Sequence, residues 1–95
     1  MKIAWIGTSL ADVAQLRIYL IERNPEATAG IISAIEKSAN NLLSFPELGR
    51  PAQSSQVRIL RVPNTYYTLP YRIDGEAIEI LAVFDQRQEP REDWL

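Results

Sequence analysis

The chain has no cysteine and no histidine in its 95 residues. Without cysteine there is no disulfide framework, no thiolate nucleophile and no thiolate ligand. Without histidine the usual proton carrier near neutral pH and the commonest metal ligand are missing. The acids are scattered without ligand spacing, so no metal or other cofactor is expected. A Gly-rich phosphate loop, a nucleophile elbow, an internal repeat and a low-complexity tract are also lacking. No apolar run approaches the roughly 20 residues needed to span a bilayer. The N-terminus lacks the basic start and apolar block of a signal peptide. The expectation is a cytoplasmic protein with no membrane partner. An apolar fraction of 46% is ordinary for a globular chain, and the length suits one domain over residues 1–95, with 86–95 read as a charged tail.

Acid is missing from one stretch in particular. Residues 50–73 hold Arg50, Arg58, Arg61 and Arg72 with no aspartate or glutamate, together with Tyr66, Tyr67, Tyr71, Pro63 and Pro70. Residues 1–49 hold four bases against five acids, and residues 74–95 two against seven. The net charge of −2 therefore hides a basic middle. Local field rather than net charge steers partners, so this segment is the candidate binding surface; a solvated strand face is the plainer reading.

The order of elements follows from periodicity and punctuation. Lys2 to Ile6 reads as a short strand, apolar on both faces and broken by Gly7. Thr8 or Ser9 can cap a helix that runs to about Arg23, with Asp12 in its first turn. Leu10, Val13, Leu16 and Leu20 make one apolar stripe, and Ala11, Ala14, Ile18 and Ile21 a second beside it. Asp12, Gln15, Tyr19 and Glu22 form the polar edge. So broad an apolar surface exceeds what one sheet covers; a second helix accounts for part of it, and a partner groove is the sharper reading. Asn24-Pro25 restarts the chain as a second helix, with Glu26 favouring its N-terminus and an end near Leu43. The short connection implies an antiparallel helix hairpin.

After a turn-rich loop from Ser44 to Gln56, whose residues 52–56 read as mobile, three strands are expected: roughly Val57–Val62, Tyr66–Ile73 and Ala77–Asp85. Asp74-Gly75 reads as a two-residue type I′ turn that pairs position i with 149 − i. Tyr67, Leu69 and Tyr71 then share the core face with Ala82, Ile80 and Ile78. Tyr66, Thr68, Pro70 and Arg72 share the other with Glu79, Leu81, Val83 and Asp85. A three-residue loop, Pro63-Asn64-Thr65, puts Arg58 beside Arg72 and turns Arg61 toward the helices; one residue more or less exchanges them. Pro70 cannot donate a ladder bond, and a bulge is expected in the Val57–Val62 strand. The class is α+β: an N-terminal strand, an antiparallel two-helix hairpin and a three-stranded antiparallel meander, with the helices on one face of the sheet. Trp94, in the charged tail, should dock on its own fold or on a partner.

Four segments carry a family resemblance: Trp5 with Ala11-Asp12 and Leu16; Asn24-Pro25; Phe45-Pro46-Glu47-Leu48-Gly49-Arg50-Pro51; and Tyr71-Arg72-Ile73 through Ile80-Leu81-Ala82-Val83-Phe84 to Arg87. In this order the chain resembles the RelE/ParE toxins of bacterial type II toxin–antitoxin modules, nearer the ParE, or plasmid-stabilisation, branch. The resemblance implies a cognate antitoxin, contact with operator DNA only through that antitoxin, and growth inhibition through DNA gyrase. RelE-like relatives instead cut messenger RNA on the ribosome, and a degenerate toxin acting only in the antitoxin complex is a third reading. Asp85 stands where histidine is frequent in relatives, and Gln86 where glycine is. Candidate target-binding residues are Arg58, Arg61, Arg72, Arg87 and Trp94. For the nuclease reading they are Arg58, Arg72, Asp85, Arg87 and Tyr66, a set poor in proton-transfer groups because arginine does not release its proton. The antitoxin is expected on Ala14, Ile18 and Ile21, where an amphipathic segment can fold on binding.

Overall fold

A computed structural model describes residues 1–53 and 56–88. The elements are β1 (Lys2–Trp5), α1 (Ser9–Arg23), α2 (Pro25–Asn41), β2 (Arg50–Pro51), β3 (Arg58–Arg61), β4 (Tyr67–Asp74), β5 (Ala77–Ile80) and β6 (Phe84–Asp85). The strands form one sheet in the order β1-β5-β4-β3-β2, with β6 continuing the pairing on β4. The sheet is mixed, because β1 lies parallel to β5 while the other pairs are antiparallel. No helix among the described residues is long and apolar enough to cross a membrane.

Both helices pack on one face, as the α+β reading requires. Ile35 and Ala39 of α2, with Leu42 just past its end, meet Leu60, Val62, Leu69, Tyr71, Ile78 and Ile80 of the sheet, with Val13 and Leu16 of α1 and Ile3 and Trp5 of β1 against them. Burying a side chain of this size stabilises by about 1.5–3 kcal/mol, and these residues supply most of that term. Asn24 stands between the helices, but its side chain makes no cap bond; the Thr28 hydroxyl donates to the Asn24 carbonyl oxygen (3.0 Å) instead. The helix α2 stops at Asn41, two residues short of the expected end.

Three registers differ from the sequence expectation, each for a local reason. In the β4–β5 hairpin Asp74 pairs with Ala77, so the turn residues are Gly75 and Glu76. Only Gly75 has positive φ (+60°), the pattern of a II′ rather than a I′ turn. The shift is two residues, so both faces keep their expected members up to Ala82. It also sets Arg72 directly opposite Glu79, and Ile73 opposite Ile78.

The β3–β4 connection has four residues rather than three, since the Val62 N–H donates to the Tyr67 carbonyl oxygen (3.0 Å). Asn64 takes φ +63°, and the Thr65 hydroxyl donates to the Val62 carbonyl oxygen (2.9 Å). One added residue reverses alternation along β3. Arg58 therefore stands opposite Tyr71 on the helix side, and Arg61 opposite Thr68 on the helix-free face, the reverse of the expected arrangement.

The bulge lies not in β3 but between β5 and β6. The Leu81 N–H donates to the Pro70 carbonyl oxygen (2.9 Å), and proline has no N–H to return. Beyond that point Phe84 faces Thr68, so Ala82 and Val83 together stand opposite the single Leu69. The extra residue moves Asp85 to Tyr67's face, not the face of Arg72 expected for it. The amide freed at Val83 donates to Oδ2 of Asp12 on α1 (3.0 Å). Replacing Asp12 with alanine leaves that buried amide without its acceptor and is expected to cost about 1–3 kcal/mol in urea denaturation, with Asp12→Asn losing less because an amide oxygen still accepts.

Candidate functional site

The arginines of the basic stretch do not form one patch; backbone register and local partners divide them. Arg58, turned to the helix side, donates through Nη1 to the carbonyl oxygens of Gly49 (2.7 Å) and Glu47 (3.2 Å). It therefore ties down the loop between α2 and β2. Tyr71 holds the same loop from inside the core, accepting the Gly49 N–H (2.9 Å) and donating to the Pro46 carbonyl oxygen (2.7 Å). Burial pushes the Tyr71 phenol above its ordinary pKa. The loop so fixed presents Phe45 and Leu48 outward, and with Ile73 they line a shallow groove.

Arg72 is exposed on the helix-free face and paired with Glu79 (Nε to Oε1, 2.6 Å), whose carboxylate holds the guanidinium above its ordinary pKa. At the other end of β4, Arg87 closes on Asp85 through its backbone N–H (2.8 Å), Nε (3.0 Å) and Nη2 (2.6 Å), and its guanidinium lies over the Tyr66 ring at 3.9 Å. The structure thus brings together Tyr66, Asp85 and Arg87, and separates them from Arg58 and Arg72. Among the described residues the guanidinium groups of Arg50 and Arg61 have no ion pair, hydrogen bond or ring contact. Trp94 lies outside the described residues, as does part of the 52–56 stretch.

Arg87 holds the Asp85 carboxyl below the usual carboxylate pKa, chiefly by hydrogen bonding. A depressed folded pKa means the pair adds stability above the ordinary carboxylate value, and that contribution is lost as pH falls through the folded value. The acid-unfolding curves of the wild type and Arg87→Ala are therefore expected to differ at neutral pH and to converge as acid protonates Asp85. A gap that persists at low pH would show that the pair is not its source.

Between this corner and α1 runs a groove of about 420 Å³, lined by Asp12, Gln15, Leu16, Tyr19, Tyr67, Val83, Phe84, Asp85 and Gln88. The Tyr67 phenol in it is pushed above its ordinary pKa by burial and then by Asp85. Asp12, Gln15 and Tyr19 of the polar edge of α1 read from the sequence line this groove; Glu22 does not. Further round α1, the second apolar stripe is uncovered. Ile18 is 61% exposed and Ile21 53%, with Leu10 and Ala14 exposed in line with them at helical spacing. Leu10, grouped in the sequence with Val13, Leu16 and Leu20, is solvent-facing.

The sequence model of the ParE toxin of the type II toxin–antitoxin system parDE matches residues 3–90. The chain belongs to the ParE toxin family. As a ParE-family chain it is the toxin component of a type II toxin–antitoxin system. It is 28% identical over 88 residues to Y4kP of Sinorhizobium fredii, a candidate toxin, covering 93% of this chain and 91% of that one. It is 24% identical over 82 residues to toxin RelE2 of Caulobacter vibrioides, covering 86% of this chain and 91% of that one. In fold it is similar to a chain of the chromosomal ParDE TA system of P. aeruginosa, with TM-score 0.79 and 23% identity over 90% of this chain and 95% of that one. Within this ParE-family chain, the register residues that sort the arginines, Pro63 to Tyr66 and Leu81 to Val83, carry no motif a sequence reader would recognise. The sequence placed Arg72 and Glu79 on one face of the sheet; the capture of Arg58 by loop carbonyls had no sequence signal.

Proposed function

We propose that this ParE-family toxin arrests growth by binding DNA gyrase, and that its antitoxin neutralises it by laying an amphipathic segment along the Leu10–Ala14–Ile18–Ile21 stripe of α1. The observation that carries the first part is the state of Asp85. RNA cleavage by 2′-OH attack needs a base and an acid. Among the described residues Asp85 is the carboxylate beside Tyr66 and Arg87, and Arg87 occupies both its oxygens and lowers its basicity. Arginine releases no proton, with a pKa above about 12. What this surface offers instead is cations and apolar side chains, the composition of a docking site. The antitoxin placement is supported by the exposure of Ala14, Ile18 and Ile21 on a helix whose opposite side is packed.

The biochemical test sets purified toxin against purified gyrase and relaxed plasmid, with a translation extract programmed with one messenger RNA in parallel. Loss of supercoiling with intact message is the expected result. Cut message with unimpaired supercoiling would replace this reading with the ribosome-dependent endonuclease, and Tyr66, Asp85 and Arg87 would be its residues.

A further inference from the structure

We propose that Arg50 and Arg61 together form a two-pronged contact for a pair of carboxylates on the surface of a protein target. The inference rests on the reading that the toxin acts by binding a protein, and it names residues and partner chemistry for that contact. Arg50 pairs with Ile59 across β2 and β3, and Arg61 follows two residues along β3 on the same face. They are diagonal neighbours on the helix-free side, with Cβ atoms roughly 7 Å apart in such a ladder. Like charges placed so close repel, and no acid among the described residues forms an ion pair with either of them. The other arginines of the sheet are occupied: Arg58 by loop carbonyls, Arg72 by Glu79, Arg87 by Asp85 and Tyr66. A charge pair left open where all its neighbours are closed is the arrangement expected of a site whose counter-charge comes from outside.

The pair is also held ready. Arg50 directly follows Gly49, whose N–H is bonded to Tyr71 and whose carbonyl oxygen is bonded to Arg58. Arg58 is thus a positioning residue: it fixes the strand that carries Arg50 and takes no part in the contact itself. Ile59 and Pro70, both buried, share this face of the sheet with the two arginines, and apolar surroundings strengthen ion pairs formed beside them.

The observations favour a protein over a nucleic acid. Carboxylates four residues apart on a helix lie about 6 Å apart at Cβ, a spacing two arginine forks can meet together. Single-stranded nucleic acid wants a longer positive track and open aromatic platforms. This face carries Asp74 and Glu79 as well, and the Tyr66 ring is already covered by Arg87.

The test uses the full chain as wild type, Arg50→Glu/Arg61→Glu and Arg50→Lys/Arg61→Lys, each checked for folding by thermal melt. Growth arrest on induction and affinity for purified gyrase are measured together with binding of a fluorescein-labelled single-stranded RNA. The proposal expects the glutamate pair to abolish arrest and to weaken gyrase binding at least about 30-fold, while the lysine pair keeps arrest. If gyrase binds wild type and the glutamate variant equally, or that variant still arrests growth, the contact is overturned and the gyrase reading stands. If wild type arrests growth without binding gyrase, the gyrase reading falls, and the contact stands or falls on whether the glutamate pair alone removes arrest. Submicromolar RNA binding that disappears in the glutamate variant would overturn the protein contact in favour of a nucleic-acid one. Should the double variant unfold, Arg61→Glu, at an exposed strand position, is the replacement, with at least about a fivefold loss expected.

Discussion

Replacing Gly49 with alanine is expected to destabilise the protein by about 3 kcal/mol or more, lowering its melting temperature by roughly 12 °C or more. The reason is a close approach rather than backbone strain. A Cβ at position 49 would sit 2.6 Å from Cε1 and 2.9 Å from Oη of Tyr71, and 3.0 Å from the Ile59 carbonyl oxygen. Tyr71 is fully buried and fixed at its hydroxyl by Gly49 and Pro46, so its ring has no room to retreat. Either the ring shifts and both hydrogen bonds break, or β2 lifts from β3. Tyr71→Phe separates these contributions. It keeps the ring and removes the hydroxyl, leaving the Gly49 amide without its acceptor, and should cost about 1–3 kcal/mol. Chemical denaturation of the two variants checks both; a Gly49→Ala protein as stable as wild type would mean the loop is not seated on Tyr71.

An aspartate at Ile18 should lower affinity for the cognate antitoxin by about 30-fold or more while changing folding stability by no more than about 0.5 kcal/mol. Ile18 is 61% exposed at the middle of an uncovered apolar stripe, so the free protein loses little when it becomes charged. A partner helix packed on that stripe would have to desolvate the carboxylate, which costs far more than the apolar contact it replaces. Ala14→Asp, one turn earlier on the same stripe, should act in the same direction. Calorimetric titration of antitoxin into each variant gives the answer. Wild-type affinity in both would place the antitoxin elsewhere, with the Phe45–Leu48–Ile73 groove the next surface to probe.

Those two expectations draw on different kinds of sequence information. The helix hairpin was legible because Asn24-Pro25 is strong punctuation and the apolar stripes of α1 repeat with helical period. The exposed stripe was legible as a surplus, more apolar surface than one sheet can cover. The helix-side face of the sheet survived a misjudged turn, because the error at Asp74-Gly75 was two residues and alternation has period two. The arginines fared differently. A single extra residue in the Pro63–Tyr66 connection exchanged Arg58 and Arg61, and a single bulged residue at Ala82–Val83 moved Asp85 across the sheet. Pro70 signalled an interrupted ladder, but the sequence does not say which neighbouring strand yields. Asp12 read as a helix-dipole residue; its role as acceptor for Val83 depends on a contact 71 residues away. Arg50 was counted with the basic stretch yet left out of the candidate site, because its freedom from partners shows only once the other arginines are paired off.

Division of the arginines into occupied and open groups also changes what an alanine scan should show. Arg58→Ala removes two hydrogen bonds to the loop and is expected to lower stability together with activity. Arg72→Ala removes a surface ion pair, a change usually worth no more than about 1 kcal/mol. A scan that read growth arrest alone would merge these effects, so each variant needs its melting curve beside its phenotype.

We propose that the toxin arrests growth by engaging gyrase rather than by cutting messages. Pulse-labelling of DNA and protein synthesis in bacteria during the first minutes after tightly controlled induction tests it most directly. Thymidine incorporation is expected to collapse first, while amino-acid incorporation continues. Collapse of amino-acid incorporation first, with DNA synthesis continuing, would contradict it and move the chemistry to Tyr66, Asp85 and Arg87.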